Sequence, residues 1–185
     1  MLLDALYAMP GHLIRRSQQI AVSLFAEETA PFGVTPVQYA ALVAIREQPD
    51  VDATRLSELI AFDRSTIGNV LERLERKGLI ARKSGTHDKR TKRLRVTARG
   101  ARLLVRIRKG VERAQERILA PLAPAERRQF MAMLTKLVHV NNRYSRVPLR
   151  TVAAGSAAKA SSRTALTAPA ACAGRSRSES RRSAD

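Results

Sequence analysis

A mainly α-helical fold carrying one small β-hairpin is predicted by three features of the chain. Between Arg64 and Lys77, the apolar residues Ile67, Val70, Leu71 and Leu74 recur at helical spacing, so one stripe faces a core while Ser65, Thr66, Asn69, Glu72, Arg73 and Arg76 face away. After Gly78 the period shortens to two: Leu79 to Lys83 and Lys92 to Val96 read as short strands joined by the polar loop 84–91. Thr97 then stands as an N-cap before a long amphipathic run through Arg99, Leu103, Leu104, Ile107 and Val111. A helix with a bare polar face, a basic hairpin and a capped helix, in that order, describe a winged helix-turn-helix lobe together with further helices.

The other elements follow in chain order. Leu13, Ser17, Ile20 and Leu24 share one face of a helix from about Pro10 to Ala30, with Pro10 suited to its first turn and Pro31 and Gly33 ending it. Thr35 caps a second helix, with Pro36 in its first turn and Tyr39, Leu42, Val43 and Ile45 following; Pro49 stops it. Asp52 caps a short third helix carrying Leu56, Leu59 and Ile60. Asp63 is placed to cap the helix that starts at Arg64, and Gly78 to end it in a left-handed conformation. In the run after Thr97, Leu104, Ile107, Val111, Ala114 and Ile118 alternate spacings of three and four, the narrow seam of a helix packed on other helices. Phe130, Leu134, Leu137 and Val138 make a second stripe on the last helix. Together with Leu2, Leu3, Leu6 and Tyr7, these stripes exceed what one small domain needs and read as a partner surface. The chain divides into a helical region 1–34, a winged helix-turn-helix domain 35–100, helices 101–147 and an Ala-, Ser- and Arg-rich tail 148–185 expected to be disordered.

Composition narrows the class of partner. With 185 residues and 44% hydrophobic content the chain can build a core, and aromatics at 4% leave Leu, Ile, Val and Ala to fill it. The net charge is +18, and it is concentrated: from Arg73 to Arg113 there are 16 Lys or Arg against Glu75, Asp88 and Glu112. Such a field suits a polyanion, because each neutralised phosphate releases counterions. No apolar run approaches the length of a membrane span and no secretory leader pattern opens the chain, so a cytoplasmic location is expected. The one cysteine, Cys172, lies in the polar tail, which rules out an internal disulfide and leaves no buried thiol to sense peroxide. The tail beyond Arg150 carries Lys159, Arg163, Arg175, Arg177, Arg181 and Arg182 against Glu179 and Asp185, enough to add weak DNA affinity or solubility.

Catalysis finds no support. His12, His87 and His139 are far apart and lack neighbours at metal-binding spacing, and neither a Gly-rich phosphate loop nor a nucleophile pattern is present. The sequence therefore predicts a protein that is not an enzyme, with no cofactor and no metal. Its DNA face is readable by chemistry: Asn69 can give a bidentate hydrogen bond to adenine, Arg64 and Arg73 can reach phosphate or a guanine edge, and Ser65 and Thr66 can meet bases or backbone near the helix start. Lys92 adds charge at the hairpin. Gly68 is unusual inside a helix, costing about 1 kcal/mol relative to Ala, and close approach to DNA or to a neighbouring helix would account for it, as would a tolerated surface position. A second reading from composition alone is an architectural protein that coats DNA without sequence choice.

The run Asp63-Arg64-Ser65-Thr66-Ile67-Gly68-Asn69-Val70-Leu71-Glu72-Arg73-Leu74-Glu75-Arg76-Lys77-Gly78-Leu79-Ile80, followed by Asp88-Lys89-Arg90-Thr91-Lys92-Arg93-Leu94-Arg95-Val96-Thr97-Ala98-Arg99-Gly100, resembles the multiple antibiotic resistance regulator (MarR) family of transcription factors. The resemblance extends over roughly Pro10 to Arg143. It implies a homodimer formed by the first and last two long helices, two recognition helices about one DNA turn apart, and a pseudo-palindromic double-stranded operator. It also implies that Arg90 enters the minor groove and that Asp88 braces its guanidinium. The family's effectors, often phenolic or aromatic acids, lodge between the dimer helices and the DNA-binding lobe; here the matching lining is Met9, His12, Leu13, Arg16, Tyr39, Val43 and Arg46. The basic field nearby also suits an acyl-coenzyme A thioester as effector. Ligand release of a repressor from DNA is the expected mode of action.

Overall fold

The structure is a computed structural model that describes residues 1–84 and 92–151. The elements run α1 (Leu2–Tyr7), α2 (Pro10–Glu28), a 3-10 turn (Ala30–Phe32), α3 (Pro36–Glu47), α4 (Ala53–Leu59), α5 (Arg64–Arg76), β1 (Ile80–Ser84), β2 (Lys92–Val96), α6 (Ala98–Leu119) and α7 (Pro124–Asn141). The helices from α2 onward and the hairpin thus fall where the periodicity puts them, and the apolar start Leu2–Tyr7 adds a short helix of its own. The helix from Pro10 stops at Glu28 rather than Ala30, because Pro31 fixes a separate tight turn and Gly33 takes the left-handed conformation at φ +58°.

Local chemistry sets each start. Thr35 and Gln38 form a reciprocal capping box on α3, with both hydrogen bonds 3.3 Å long. The Asp52 carboxylate accepts from the Arg55 amide at 2.8 Å, and Thr97 Oγ1 accepts from the Gly100 amide at 3.1 Å. Asp63 occupies the N-cap position of α5 but makes no side-chain cap; its carboxylate instead lies 3.7 Å from the Arg146 guanidinium. The expected cap fails because the local backbone leaves the charge turned toward another element. Gly78 ends α5 at φ +67°, as a left-handed stop requires.

The core lies in the lobe that carries the hairpin. Ile67, Val70, Leu71 and Leu74 of α5 are buried with Leu42 and Ile45 of α3, Leu56 of α4, Leu79, Ile80 and Leu94 of the hairpin, and Leu104 and Ile107 of α6. The antiparallel register pairs Ile80 with Val96 and Ser84 with Lys92. A further pairing, Val51 with Leu94, adds a bridge from the loop before α4, with Leu94 N–H donating to the Val51 carbonyl at 3.0 Å and Asp50 N–H to the Leu94 carbonyl at 2.9 Å. The seam of α6 is therefore buried largely within its own chain: Leu104, Ile107 and Ala114 are covered by this lobe and by α2, its principal helical neighbour. The apolar stripes without cover are elsewhere. Phe130, Leu134, Leu137 and Val138 of α7, and Leu2, Leu3, Leu6, Tyr7, Leu13 and Ile20 of α1 and α2, are exposed.

The chain folds back after α7. Asn142 clamps Leu149 through two hydrogen bonds of 2.8 and 3.1 Å, and the Arg150 amide donates to the Glu58 carbonyl at 3.1 Å, so the first residues of the expected tail are held against α4. Residues 152–185, on which the disorder expectation falls, lie outside the described residues.

Two glycines mark backbone contacts that exclude a side chain. A Cβ on Gly100 would stand 2.2 Å from the Leu79 carbonyl oxygen, and one on Gly110 would stand 2.6 Å from the Glu28 carbonyl oxygen. The first contact seats α6 on the hairpin and the second sets the α2–α6 crossing. Gly68 is different: a Cβ there meets nothing within 4 Å, so no neighbouring helix demands it. Gly100→Ala should lower stability by about 1–3 kcal/mol from overpacking against backbone, despite the gain in helix propensity. Urea unfolding checks this, and an Ala variant as stable as the parent would show that the α6–hairpin contact yields freely.

Candidate nucleic-acid interface and effector cleft

The stripe that buries α5 dictates what the helix presents outward. With Ile67, Val70, Leu71 and Leu74 inward, Arg64, Ser65, Thr66, Asn69 and Arg73 are all exposed together with Gly68. Arg64 is held by a 2.6 Å hydrogen bond from its guanidinium to Thr54 Oγ1 of α4, which fixes its stem and leaves other donors outward. Arg73 makes no ion pair among the described residues, whereas Arg76 is paired with Glu72 at 3.0 Å and Arg82 with Glu75 at 2.9 Å. Within the last turn of α5, Arg76 is thus neutralised while Arg73 is left available.

Two clefts flank the helix. On one side Thr66, Asn69 and Arg73 join Gln18, Val22, Thr35, Pro36, Val37, Gln38, Phe62 and Val70 around a cavity of about 430 Å³. On the other, Gly68 and Leu71 face Arg55, Arg82, Lys92 and Leu94 around about 610 Å³. Lys92, the first residue of β2, therefore sits at the hairpin's flank beside α5. His87, Asp88 and Arg90, which the sequence reading assigns to the loop of the hairpin, lie outside the described residues.

The base of the wing is braced by a contact that sequence reading missed. Asp50 adopts φ +66° and accepts from Arg95 with both carboxylate oxygens, the Nε bond being 2.6 Å; Arg93 donates to the Asp50 carbonyl at 3.1 Å. Hydrogen bonding from Arg95, reinforced by its charge and those of Arg93 and Lys83, holds the Asp50 carboxyl below its ordinary value. A matching clamp joins α2 to α6: Glu28 accepts from Arg113 at 2.7 Å and from Arg117 at 2.9 Å, and these bonds lower its pKa too. Arg117 also meets Glu27 at 2.9 Å.

The residues matched to an effector divide into two groups. Tyr39, Val43 and Arg46 come together with Leu104, Val105, Arg108, Val111 and Glu112 around a cavity of about 360 Å³ between α3 and α6. Met9, His12, Leu13 and Arg16 do not line it; they lie at the start of α2, where Met9 and Leu13 are exposed and the His12 ring packs at 5.5 Å from that of Tyr7. In the cleft, Arg46 is paired with Glu47 and Arg108 with Glu112.

Residues 34–92 match the family model of the MarR family. A protein of Thauera aromatica named for transcriptional regulation of the hcr operon is 36% identical over 128 residues, which cover 69% of this chain and 77% of that protein. The PcaV transcriptional regulator of Streptomyces coelicolor, solved with its natural ligand, aligns with a TM-score of 0.66 at 34% identity, covering 72% of this chain and 94% of its own. Bordetella bronchiseptica BpsR, whose DNA binding is regulated by 6-hydroxynicotinic acid, aligns with a TM-score of 0.66 at 27% identity over 71% of this chain and 94% of its own.

The Asp50–Arg95 pair generates a pH test. A carboxyl held below its ordinary value in the folded state adds stability that is full above the unfolded value and is lost as pH falls through the folded one. The stability difference between the parent and Asp50→Asn should therefore be present at neutral pH and shrink in acid, below the ordinary carboxylate range. Denaturant titrations across that range check it; a difference that stays constant into strong acid would remove this pair from the stability of the wing.

Proposed function

The chain belongs to the MarR family and is a transcriptional regulator of that family; from this premise we propose that it is a homodimeric, cytoplasmic repressor, not an enzyme, that binds a pseudo-palindromic operator and is released by a small aromatic or phenolic acid or its acyl-coenzyme A thioester. The observation that carries the DNA reading is the outward face of α5, where Ser65, Thr66, Asn69 and Arg73 are exposed side by side on a helix whose other face is fully buried. Asn69 reads a base, Arg64 and Arg73 bind phosphate or guanine, Ser65 and Thr66 contact the helix-start side of the groove, and Lys92 neutralises backbone beside the wing. Arg90, braced by Asp88, serves the minor groove. The homodimer is supported by the uncovered apolar residues of α1, α2 and α7, which a second copy would bury.

The effector reading rests on the α3–α6 cleft. Tyr39, Val43 and Arg46 supply an aromatic hydroxyl, an apolar wall and a cation, a donor set suited to an aromatic acid. Because Met9, Leu13 and Arg16 are exposed and His12 is half-buried at the start of α2 instead of lining this cleft, their contribution requires the α2 of a second copy to close over it. Release then follows from a ligand that binds the non-DNA-binding arrangement of the dimer more tightly, and operator DNA must weaken ligand binding by the same factor.

Asn69→Ala should cost about 1–3 kcal/mol on the operator and relax preference at one base position, while Arg90→Ala should weaken binding at least tenfold with the fold intact. Gel-shift titrations on operator and random duplexes decide between base reading and general charge: an equal loss on both would take Asn69 out of sequence recognition. For the effector, calorimetry with a panel of phenolic acids and their thioesters is expected to find a binder whose affinity falls in Tyr39→Ala and in Arg16→Ala, with DNA affinity of the free protein preserved. A panel without any binder at millimolar concentration would end this reading of the cleft.

A further inference from the structure

Arginines are used unequally along α6. From Arg108 onward each faces a carboxylate: Arg108 with Glu112 at 2.8 Å, Arg113 with Glu28 at 2.7 Å, and Arg117 with Glu27 and Glu28 at 2.9 Å. In its first half Arg99, Arg102 and Arg106 have no carboxylate partner among the described residues. Spacings of three and four put these side chains on one face of the helix.

That face is a wall of a cleft of about 480 Å³, a volume suited to a small ligand. The opposite walls are the Ala30–Gly33 turn and the end of α5 with Lys77, and Leu79 and Leu103 form part of the lining. Among the described residues no carboxylate lines it. Lys77 Nζ donates to the Gly33 carbonyl and ties the two walls together, and the Arg106 guanidinium lies over the Phe32 ring, 5.8 Å from its centre. Four cations gathered around one concave space repel one another, and a multiply charged anion relieves that repulsion.

We propose that this cleft binds a diphosphate-bearing small molecule of the nucleotide class. Arg99 and Arg102 present planar forks that match phosphate oxygens two at a time, Lys77 adds a point charge, and the Arg106–Phe32 stack is a flat ledge on which a nucleobase can lie. A monocarboxylate would leave most of this charge unanswered. DNA is a poorer fit for the position. Lys77 lies at the far end of α5 from Arg64, about 20 Å along a 13-residue helix, and Arg99 follows β2 at the opposite end of that strand from Lys92. A ligand seated here would bridge the turn at Gly33, which joins α2 to the DNA-reading lobe, so occupancy bears on the angle between them.

The test is calorimetric titration of the full chain with ADP, pyrophosphate and adenosine at moderate salt. The expected result is saturable binding of one ADP per chain, weaker binding of pyrophosphate and none of adenosine. In the double variant Arg99→Gln and Arg102→Gln, ADP affinity should fall at least tenfold; Arg128→Gln with Lys136→Gln, which removes equal charge from α7, should leave it unchanged. Arg102→Lys, which keeps the charge and loses the fork, should weaken ADP several-fold with an unaltered thermal midpoint, so the loss cannot be ascribed to misfolding. Equal loss in the α7 variant, or binding that never saturates, would show general counterion attraction and overturn the proposal. So would an Arg99→Gln, Arg102→Gln protein whose operator affinity falls as much as its ADP affinity, since these cations would then belong to the DNA surface.

Discussion

The burial of one stripe on α5 is the constraint on which the rest depends. Ile67, Val70, Leu71 and Leu74 are at most 7% exposed, and they fill the space between α3, α4, the hairpin and Leu104 and Ile107 of α6. A helix whose apolar face is gripped by four elements has no freedom to rotate, so the orientation of Thr66, Asn69 and Arg73 toward solvent is set by packing. Because Leu104 and Ile107 belong to the same helix that crosses α2 at Gly110, α6 links that crossing to the packing beneath the exposed face of α5. Two backbone approaches, at Gly100 and Gly110, make that link stiff, and the Glu28–Arg113–Arg117 clamp adds direction to the crossing.

Electrostatics then divides the surface into neutralised and available parts. Exposed ion pairs such as Arg76–Glu72 and Arg108–Glu112 contribute little to stability individually, but they remove charge from places where it is not wanted. Arg73, on the outward face of α5, is left without such a pairing among the described residues, and so are the arginines at the start of α6. The field of a chain with net charge +18 is in this way partly focused by the positions of 16 acidic side chains.

The fold was legible in the sequence where one physical signal dominated. Helical periodicity located the helix at Arg64 and its buried stripe, alternation located the hairpin to within one residue, and Thr35, Asp52 and Thr97 cap as their chemistry suggests. What was not legible depends on contacts distant in sequence. The Asp50–Arg95 brace and the Val51–Leu94 bridge join residues more than forty apart, and no local pattern announces them. Glu28 reaches Arg113 and Arg117 across 85 and 89 positions. Asp63 misled because a residue suited to capping can serve an arginine instead, here Arg146. The α6 seam looked like a partner surface because intrachain and interchain packing leave the same periodicity. On the candidate site, the exposed face of α5 followed from the stripe opposite it, whereas the separation of Tyr39, Val43 and Arg46 from Met9, His12, Leu13 and Arg16 needed the path of α2 in space.

In the proposed function, a rigidly held α5, duplicated by a second copy of the chain, reads two half-sites of one operator. Hydroxyl-radical footprinting of the full chain on DNA from its own upstream region tests this most directly. The expected result is one short protected segment on each strand, its two halves related by a two-fold axis and centred about 10 base pairs apart or a multiple of that. Protection that spreads over the whole probe with rising protein, or a single unsymmetrical patch, would contradict it.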